Sequence, residues 1–227
     1  MPFSPAEFRL AETIAEAAAG LRPGDGPQAI MSAAVHLAQD VVPEADHAGV
    51  ALVHQPQDVR TTAWTSDAVR AADAHYAGPG AAAHWSGLWT APLAVLDDTS
   101  AADGDGAALV GLGLRSMLSL RLSARGRALT VLTLYAGKPR AFGEPAVRLG
   151  RLLCAHISLA LESAVVQEQL TEAMHTRDII GQATGILMAR LDMDAAQAFD
   201  RLVRASQKEN VKLRDIAVRI VQAARAE

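Results

Sequence analysis

The sequence predicts an α+β fold, in which an antiparallel sheet flanked by helices is followed by one long helix and a C-terminal group of three short helices. Alternating apolar and polar residues indicate strands at 48–55, 115–123 and 128–136. From about Glu144 onward, apolar residues recur three and four positions apart, which is typical of helices. The two patterns divide the chain into a mixed first part and a helical second part.

Composition restricts the class of protein. The chain has 227 residues, of which 50% are hydrophobic, and a formal net charge of −4, so we expect one or two folded domains with a sizeable core. No uninterrupted apolar run approaches the ~20 residues that span a bilayer, and the first 20 residues lack the pattern of a secretory signal. Cys154 is the only cysteine, which excludes an intramolecular disulfide. We therefore expect a soluble cytoplasmic protein without a membrane partner.

The first part of the chain consists of shorter elements separated by glycine and proline, beginning with the Pro23–Gly26 cluster. The predicted elements are helices at 5–20 and 27–41, strands at 48–55 and 59–64, short helices within 66–89, a strand at 91–97, an acidic loop at 97–106, a short helix at 108–114, and strands at 115–123 and 128–136 joined by a turn at 124–127.

Residues 145–175 are predicted to form one long helix, because Pro145 suits a first helical turn and apolar residues continue three and four apart. Up to about Leu161 we expect this helix to lie on the protein's own sheet. Beyond that point it would extend past the sheet, so we expect it to pair with a second copy as a coiled coil in a homodimer. The residues of this heptad-like seam are Leu149, Leu152, His156, Leu159, Ser163, Val166, Leu170 and Ala173.

The last fifty residues divide into three short helices, each with one apolar face. The first ends at Leu191–Met193, and the second begins after Asp194, an N-cap with Gln197 as its capping-box partner. Phe199 falls in register with the apolar face of the second helix, so we predict that it is a core residue. The three faces comprise Ile179, Ile180, Ala183, Ile186, Leu187 and Leu191; Ala195, Ala198, Phe199, Leu202 and Val203; and Leu213, Ile216, Ala217, Ile220 and Val221.

Basic side chains lie outside these apolar faces and are candidates to contact the phosphates of a nucleic acid. Three of them lie three and four positions apart, so they share one edge of the second helix. Residues 168–227 hold nine basic and nine acidic residues, so charge alone favours a solvated face of alternating sign. The candidates are Arg177, Arg190, Arg201, Arg204, Lys208, Lys212 and Arg214.

Ordered motifs occur along residues 177–221, namely Ile180–Ala183, Gly185–Met188, Ala198–Phe199, Leu202, Ser206, Asn210 and Leu213–Ala217. With these motifs the segment resembles the ANTAR domain, the RNA-binding module of transcription antitermination regulators. The resemblance implies that it binds stem-loops of nascent transcripts and so blocks terminator formation. Two linked hairpins would need two binding surfaces, which suits a dimer. The family commonly has lysine where this chain has Thr184, so one cation is missing.

Gly181 and Gly185 lie one turn apart on the first of the three helices. Together they form a smooth stripe, which we expect to serve close helix packing rather than direct contact with a ligand.

The first part of the chain carries a second resemblance. Its motifs are Gly49–Leu52, Gly78–Gly80, Leu114–Leu120 and Leu132–Tyr135, and with them it is similar to the GAF sensor domain, the usual partner of ANTAR. The resemblance implies a GAF-like domain at 1–162 and an ANTAR domain at 163–227, with a helical linker at about 145–175.

GAF folds can hold a ligand between the sheet and a lid of short helices. The residues that would line such a sensor pocket are Trp64, Tyr76, His84, Trp85 and Trp89, and the alternative interpretation is that they are core aromatics. The seven histidines have no metal-ligand spacing, so we predict no metal site and no cofactor. The sequence does not identify the GAF ligand, whether a small molecule or a protein.

These features predict a regulator in which a GAF sensor controls RNA binding by an ANTAR domain, and they predict no enzyme. An alternative is a GAF signalling protein whose helical tail makes only protein–protein contacts. A histidine-kinase fragment, indicated faintly by His175, lacks an ATP-binding domain, and a receiver domain based on Asp97 and Asp98 lacks a suitably placed lysine.

Overall fold

The protein is represented by a computed structural model that describes residues 20–55, 58–76, 82–101, 106–125 and 128–225, with the side chains of residues 76, 82, 83, 124 and 125 left aside. The predicted helix at 5–20 and the Gly78–Gly80 motif lie outside these residues, as do parts of the 97–106 loop and the 124–127 turn. The elements are α1 (Pro27–Val41), β1 (His47–Gln55), β2 (Asp58–Trp64), α2 (Asp67–Tyr76), α3 (Ala82–Thr90), β3 (Leu93–Leu96), α4 (Gly106–Gly111), β4 (Ser116–Arg125), β5 (Ala128–Ala136), α5 (Glu144–Leu191), α6 (Ala195–Glu209) and α7 (Leu213–Arg225).

The five strands form one antiparallel sheet in the order β2-β1-β5-β4-β3. In the central β4–β5 pair, Leu118 lies opposite Leu134 and Ser119 lies opposite Thr133. Because successive residues of a strand point to opposite faces, this register puts leucines on one face and hydroxyl groups on the other. The α+β prediction is confirmed, with helices on both faces of the sheet.

Each face of the sheet has its own core. On one face, α1 and α5 pack against Val50, Leu118 and Leu134. On the other face, α2, α3 and α4 supply Val69, Leu88 and Leu109 to a core that also contains the strand residues Val53, Met117, Val131 and Tyr135. The second core, beneath the short helices, is the place where a GAF ligand would be expected.

Helix α5 is continuous over 48 residues. The predicted linker helix and the first of the three C-terminal helices are therefore one helix. The sequence-based prediction of two separate helices was wrong on this point. Residues 175–178, which join the two predicted helices, contain neither glycine nor proline, so nothing in the local sequence ends the helix there.

Two apolar faces run along α5, and the sequence analysis assigned the wrong one to the sheet. Leu153, Ile157 and Leu161 are buried against the sheet. The seam residues Leu152 and Leu159 were expected to lie there up to about Leu161, but they are 51% and 67% exposed. The face that packs is the one with glycine at position 150.

Gly150 explains why this face of α5 packs on the sheet, because it lets the helix come close to β4. A Cβ atom at this position would lie 2.8 Å from Leu120 Cδ1 and 3.2 Å from Leu118 Cδ2. The absence of a side chain lets the helix backbone pack closely on β4, which turns the Leu153 face inward and the Leu152 face outward.

An 18-residue stretch of α5, with mean hydropathy 1.5, is long and apolar enough to span a membrane by length and composition, and 33% of that stretch is buried within the protein. The core helix of a globular domain meets the same criterion. The chain separates into two compact units, Met1–Val165 and Val166–Glu227.

Candidate nucleic-acid interface and sensor core

The C-terminal unit has a small core built by the end of α5, α6 and α7. Ala183, Leu202 and Ala217, one residue from each helix, are completely buried in it. Partly buried residues surround them, namely Ile179, Ile180, Ile186, Leu187, Ala205, Val211, Leu213 and Ile220. Every helix of this unit therefore has one apolar edge that faces its core.

Both ends of α6 are fixed by local hydrogen bonds. The Asp194 carboxylate accepts a hydrogen bond from the Gln197 backbone at 2.8 Å, and the Gln197 side chain accepts one from the Asp194 backbone at 3.3 Å. The predicted capping box is thus confirmed. At the other end Asn210 takes a left-handed conformation, and the Ser206 hydroxyl donates to the Val211 carbonyl at 2.6 Å.

Arg201, Arg204 and Lys208 are all exposed on one edge of α6, which we term the basic edge. Arg201 and Arg204 also line an open groove of about 440 Å³, together with Gln197 and Asp200. The basic edge brings three positive charges into one row, and Asp200 at its border is the acidic side chain that lines the same groove.

The other predicted cations are not all gathered with the basic edge. Arg214 is held by Glu172 at 2.8 Å and by Asp215 at 3.5 Å, so its guanidinium is committed to ion pairs. Arg177 lines a different groove, next to Phe199. Arg190 is exposed in the last turn of α5, and Lys212 is exposed just before α7.

Phe199 is not the core residue that its register predicted. Its side chain is 44% exposed, whereas Ala198 and Leu202 form the buried ridge of α6. The reason is geometric: position 199 lies about 100° around the helix from position 198, at the border of the apolar face.

The prediction that Gly181 and Gly185 serve close helix packing is also wrong within the described chain. Both glycines are exposed, and a Cβ atom at either position would have no neighbour within 4 Å. Thr184, between them, is half-buried, and its hydroxyl donates to the Ile180 carbonyl at 2.8 Å.

In the N-terminal unit, α3 places three of the predicted pocket residues together. The His84 and Trp85 rings meet edge to face, with centroids 4.9 Å apart. Trp85 is 1% exposed within the core, and Trp89 packs against the same core. Position 76 lies at the end of α2, and its side chain is outside the described part.

Trp64 lies apart from this group. It ends the edge strand β2, is 40% exposed, and has the Arg70 guanidinium 5.8 Å from its ring centroid. The structure therefore brings His84, Trp85 and Trp89 together and separates Trp64 from them.

A row of polar groups lies in the core beneath α3. His84 Nε2 is 3.2 Å from Ser119 Oγ, which is 3.1 Å from Thr133 Oγ1. Burial lowers the pKa of His84 to about 4, so the ring is neutral at pH 7. A neutral imidazole bonded to the Ser119 hydroxyl, which is in turn bonded to the Thr133 hydroxyl, can accept or donate a hydrogen bond to a ligand.

A second polar group, Asp73, was missed by the sequence analysis. It is 2% exposed, and its carboxylate accepts hydrogen bonds from the Thr61 hydroxyl at 2.8 Å and the Tyr135 hydroxyl at 3.0 Å. Desolvation raises the pKa of Asp73 to about 6, although both hydrogen bonds lower it. Spacing was the signal that could have indicated its burial, because Asp73 lies four residues after the buried Val69 and so on the same face of α2.

Cys154 fits its predicted place as a buried small residue. Its thiol is 8% exposed and donates to the Arg121 carbonyl at 3.2 Å. Desolvation raises the pKa of this thiol, which keeps it protonated at neutral pH.

Comparison with known families agrees with this architecture. Residues 25–162 match the GAF domain and residues 168–221 match the ANTAR domain. The GAF match covers more than half of the chain, so the protein belongs to the GAF domain family, and it carries an ANTAR domain at its C-terminal end. Both resemblances found in the sequence are thereby confirmed. These are sensory and regulatory families rather than catalytic ones.

Solved structures support the fold. Bacteriophytochrome RpBphP3 from R. palustris aligns with a TM-score of 0.63 at 11% identity, over 90% of this chain and 47% of that one. Its chromophore-binding domain gives a TM-score of 0.51 at 12% identity, over 74% of this chain and 65% of that one. The phycoerythrobilin-bound GAF domain of a cyanobacterial phytochrome gives 0.54 at 10% identity, over 74% of this chain and 100% of that one.

At these identities the likeness concerns the fold alone. The chain spans about half the length of the bacteriophytochrome and about two thirds of its chromophore-binding domain. No curated protein is significantly similar to this chain in sequence.

The raised pKa of Asp73 predicts how stability depends on pH. Between about pH 4 and pH 6 the folded state keeps a proton on Asp73 that the unfolded state has lost, so the free energy of unfolding falls as the pH rises. The full effect is about 3 kcal/mol. Relative to Asp73→Asn, the wild-type protein should gain stability when the pH is lowered from 6.5 to 4.

Urea unfolding followed by tryptophan fluorescence measures this difference, because Trp64, Trp85 and Trp89 all lie in the N-terminal unit. Subtracting the variant removes the titration of the other groups, among them His84. A difference between the two proteins that stays constant over this pH range would contradict the assignment.

Proposed function

We propose that the protein is a cytoplasmic RNA-binding regulator of transcription antitermination, in which the GAF domain controls the binding of the ANTAR domain to stem-loops of nascent transcripts. The observation that carries this proposal is the basic edge, formed by Arg201, Arg204 and Lys208 on the ANTAR domain. Three aligned cations on a capped helix can meet successive phosphates of an RNA backbone.

The remaining predicted cations have graded roles in this proposal. Lys212 and Arg190 are exposed, and we propose that they extend the basic edge. Arg214 is paired with Glu172 and Asp215, so its contribution to RNA binding is the smallest. Arg177 belongs to the other groove and is proposed as a peripheral contact.

A homodimer through α5 completes the proposal. In the seam, Leu152, Leu159, Val166 and Leu170 are between 48% and 67% exposed. Two such seams buried against each other would remove these side chains from water.

The polar seam residues do not oppose such pairing. The Ser163 hydroxyl donates to the Leu159 carbonyl, and His156 Nδ1 lies 2.9 Å from the Leu152 carbonyl. The Ser163 hydroxyl and His156 Nδ1 are therefore satisfied on their own helix, and His156 Nε2 is the one ring nitrogen that needs water or a group of the second copy as its partner.

The sensor input is proposed to act at the core beneath α3. His84, Ser119 and Thr133 there would recognise a polar small molecule, with Trp85 and Trp89 as its apolar neighbours. A ligand or protein partner that prefers one arrangement of the GAF domain would shift the pairing equilibrium of α5 and so RNA binding.

Reversing two charges of the basic edge should abolish specific RNA retention. For Arg204→Glu combined with Lys208→Glu we expect at least a 100-fold loss of affinity and a shallower salt dependence, with the slope of log K against log salt lower by about 2. The measurement is an electrophoretic mobility shift with a leader RNA that contains two linked hairpins.

The matched control is Arg60→Glu combined with Arg151→Glu, which makes the same change in net charge at exposed sites of the N-terminal unit. It should bind RNA nearly as the wild-type protein does. Retention that is unchanged by the basic-edge variant would favour a tail that makes protein contacts only.

Restoring a cation at position 184 should strengthen RNA binding. Thr184→Lys is expected to raise affinity about threefold to tenfold and to make the salt slope steeper by about 1, because one more phosphate is neutralised. Thr184→Gln, of similar length without charge, is the control and should leave affinity unchanged. Equal affinities of the two variants would remove position 184 from the interface.

Charged residues in the seam should separate the dimer. Val166→Glu combined with Leu170→Glu replaces two exposed apolar side chains, each of which contributes about 1.5–3 kcal/mol per copy when buried. Sedimentation equilibrium should show at least a 100-fold weaker dimer. The control is Glu168→Gln, on the outer side of the same helix, and a wild-type protein that is monomeric would contradict the proposal.

A further inference from the structure

The groove beside Phe199 is an apolar surface of the C-terminal unit from which the RNA proposal takes only Arg177, as a peripheral contact. It has a volume of about 540 Å³ and is open to solvent. Residues of one α5 face form its floor, including Gln169, Ala173, Thr176 and Ile180, and Phe199 of α6 forms its wall. Leu170 and Met174, which follow the groove residues Gln169 and Ala173 in the sequence, are apolar and 61% and 68% exposed.

We propose that this groove receives Met174 of a second copy of the chain, so that the dimer interface extends from α5 onto α6. This proposal rests on the proposed dimer and adds a specific contact to it. The occupant follows from the seam register, the exposures of Met174 and Phe199, and the side of α6 on which Phe199 lies.

The heptad register of the seam determines which residue of the second copy faces the groove. Alternating steps of four and three put Leu170 at an a position and Val166 and Ala173 at d positions of the heptad. Gln169 and Thr176 are then at g, and Met174 is at e. In a parallel two-stranded coil the g edge of one helix faces the e edge of its partner, which sets Gln169 against position 174 of the second copy.

Gln169 is itself part of the groove, so the facing methionine would lie at the groove mouth, next to Phe199. An unbranched thioether adapts to an irregular groove and makes favourable contacts with an aromatic ring. Two-fold symmetry makes the contact twice, since each groove receives the methionine of the other copy.

The position of Phe199 argues against RNA as the occupant. At about 100° per residue, Arg201, Arg204 and Lys208 lie roughly 140–200° around α6 from Phe199. The basic edge and the groove are therefore on opposite sides of the helix. A hairpin on the basic edge leaves the Phe199 wall of the groove free for a protein contact.

The acidic residue in the groove does not oppose this occupant. Glu172 accepts a hydrogen bond from Arg214 Nη1 at 2.8 Å, so its charge is compensated within the same chain. The groove, which Arg177 also lines, therefore offers an apolar wall and a paired carboxylate to an uncharged side chain.

The first arm of the test measures dimer affinity. Phe199→Ala should weaken the dimer about tenfold or more in sedimentation equilibrium, with helical content unchanged. Leu191→Ala is the matched control, because Leu191 is also 44% exposed but does not line the groove, and it should have no effect.

The second arm locates the contact by disulfide trapping in a Cys154→Ser background, which removes the only native thiol. Differently tagged chains carry Met174→Cys and Phe199→Cys, and mild oxidation should link them covalently. Glu168→Cys, exposed on the outer side of α5, replaces Met174→Cys as the control and should not form the link.

The outcomes separate this inference from the proposed function. A dimer that persists while Phe199→Ala has no effect, or while positions 174 and 199 fail to link, overturns the groove contact alone. Loss of RNA binding by Phe199→Ala with an intact dimer also overturns it, in favour of RNA in the groove. A wild-type monomer overturns the proposed dimer as well.

Discussion

The structure depends on one constraint, which is that a single uninterrupted helix carries two apolar faces. One face of α5, with Leu153, Ile157 and Leu161, completes the core of the GAF domain. The other, with Leu152, Leu159 and Val166, is exposed. Because the helix is continuous to Leu191, it also supplies one third of the ANTAR core. One continuous helix therefore contributes to the cores of both units, and the proposed pairing surface lies on the same helix.

The two sides of the sheet differ in polarity. Its α5-facing side is lined by leucines and anchors the long helix, while the opposite side holds His84, Ser119 and Asp73 in an otherwise apolar core. Buried polar groups cost free energy unless they are paired, and those named here have partners at 2.8–3.2 Å. Their arrangement makes the side that is proposed to receive the input chemically distinct from the side that holds α5.

Much of the fold could be predicted from local pattern. Strand alternation identified the β4–β5 pair, and the Asp194 and Gln197 spacing located the start of α6. The choice between the two faces of α5 could not be made, because both have helical spacing and the decision depends on Gly150 against Leu120 in three dimensions.

The candidate sites were predictable to a smaller degree. The three cations of the basic edge follow from helical spacing, but the ion pair of Arg214 with Glu172 joins residues 42 positions apart and leaves no local signal. Phe199 was wrongly predicted to be a core residue because a position at the border of an apolar helix face fits the same three- and four-residue spacing as a core position. Asp73, on helix α2, was missed because its partners, Thr61 and Tyr135, come from two different strands.

The central claim is that two copies, joined along α5, present two basic edges to one transcript. Native mass spectrometry of the purified protein with a leader RNA containing two hairpins tests this claim most directly. The account predicts a complex of two chains with one RNA, and a much weaker complex when either hairpin is deleted. A complex with one chain per RNA that does not depend on the second hairpin would contradict it.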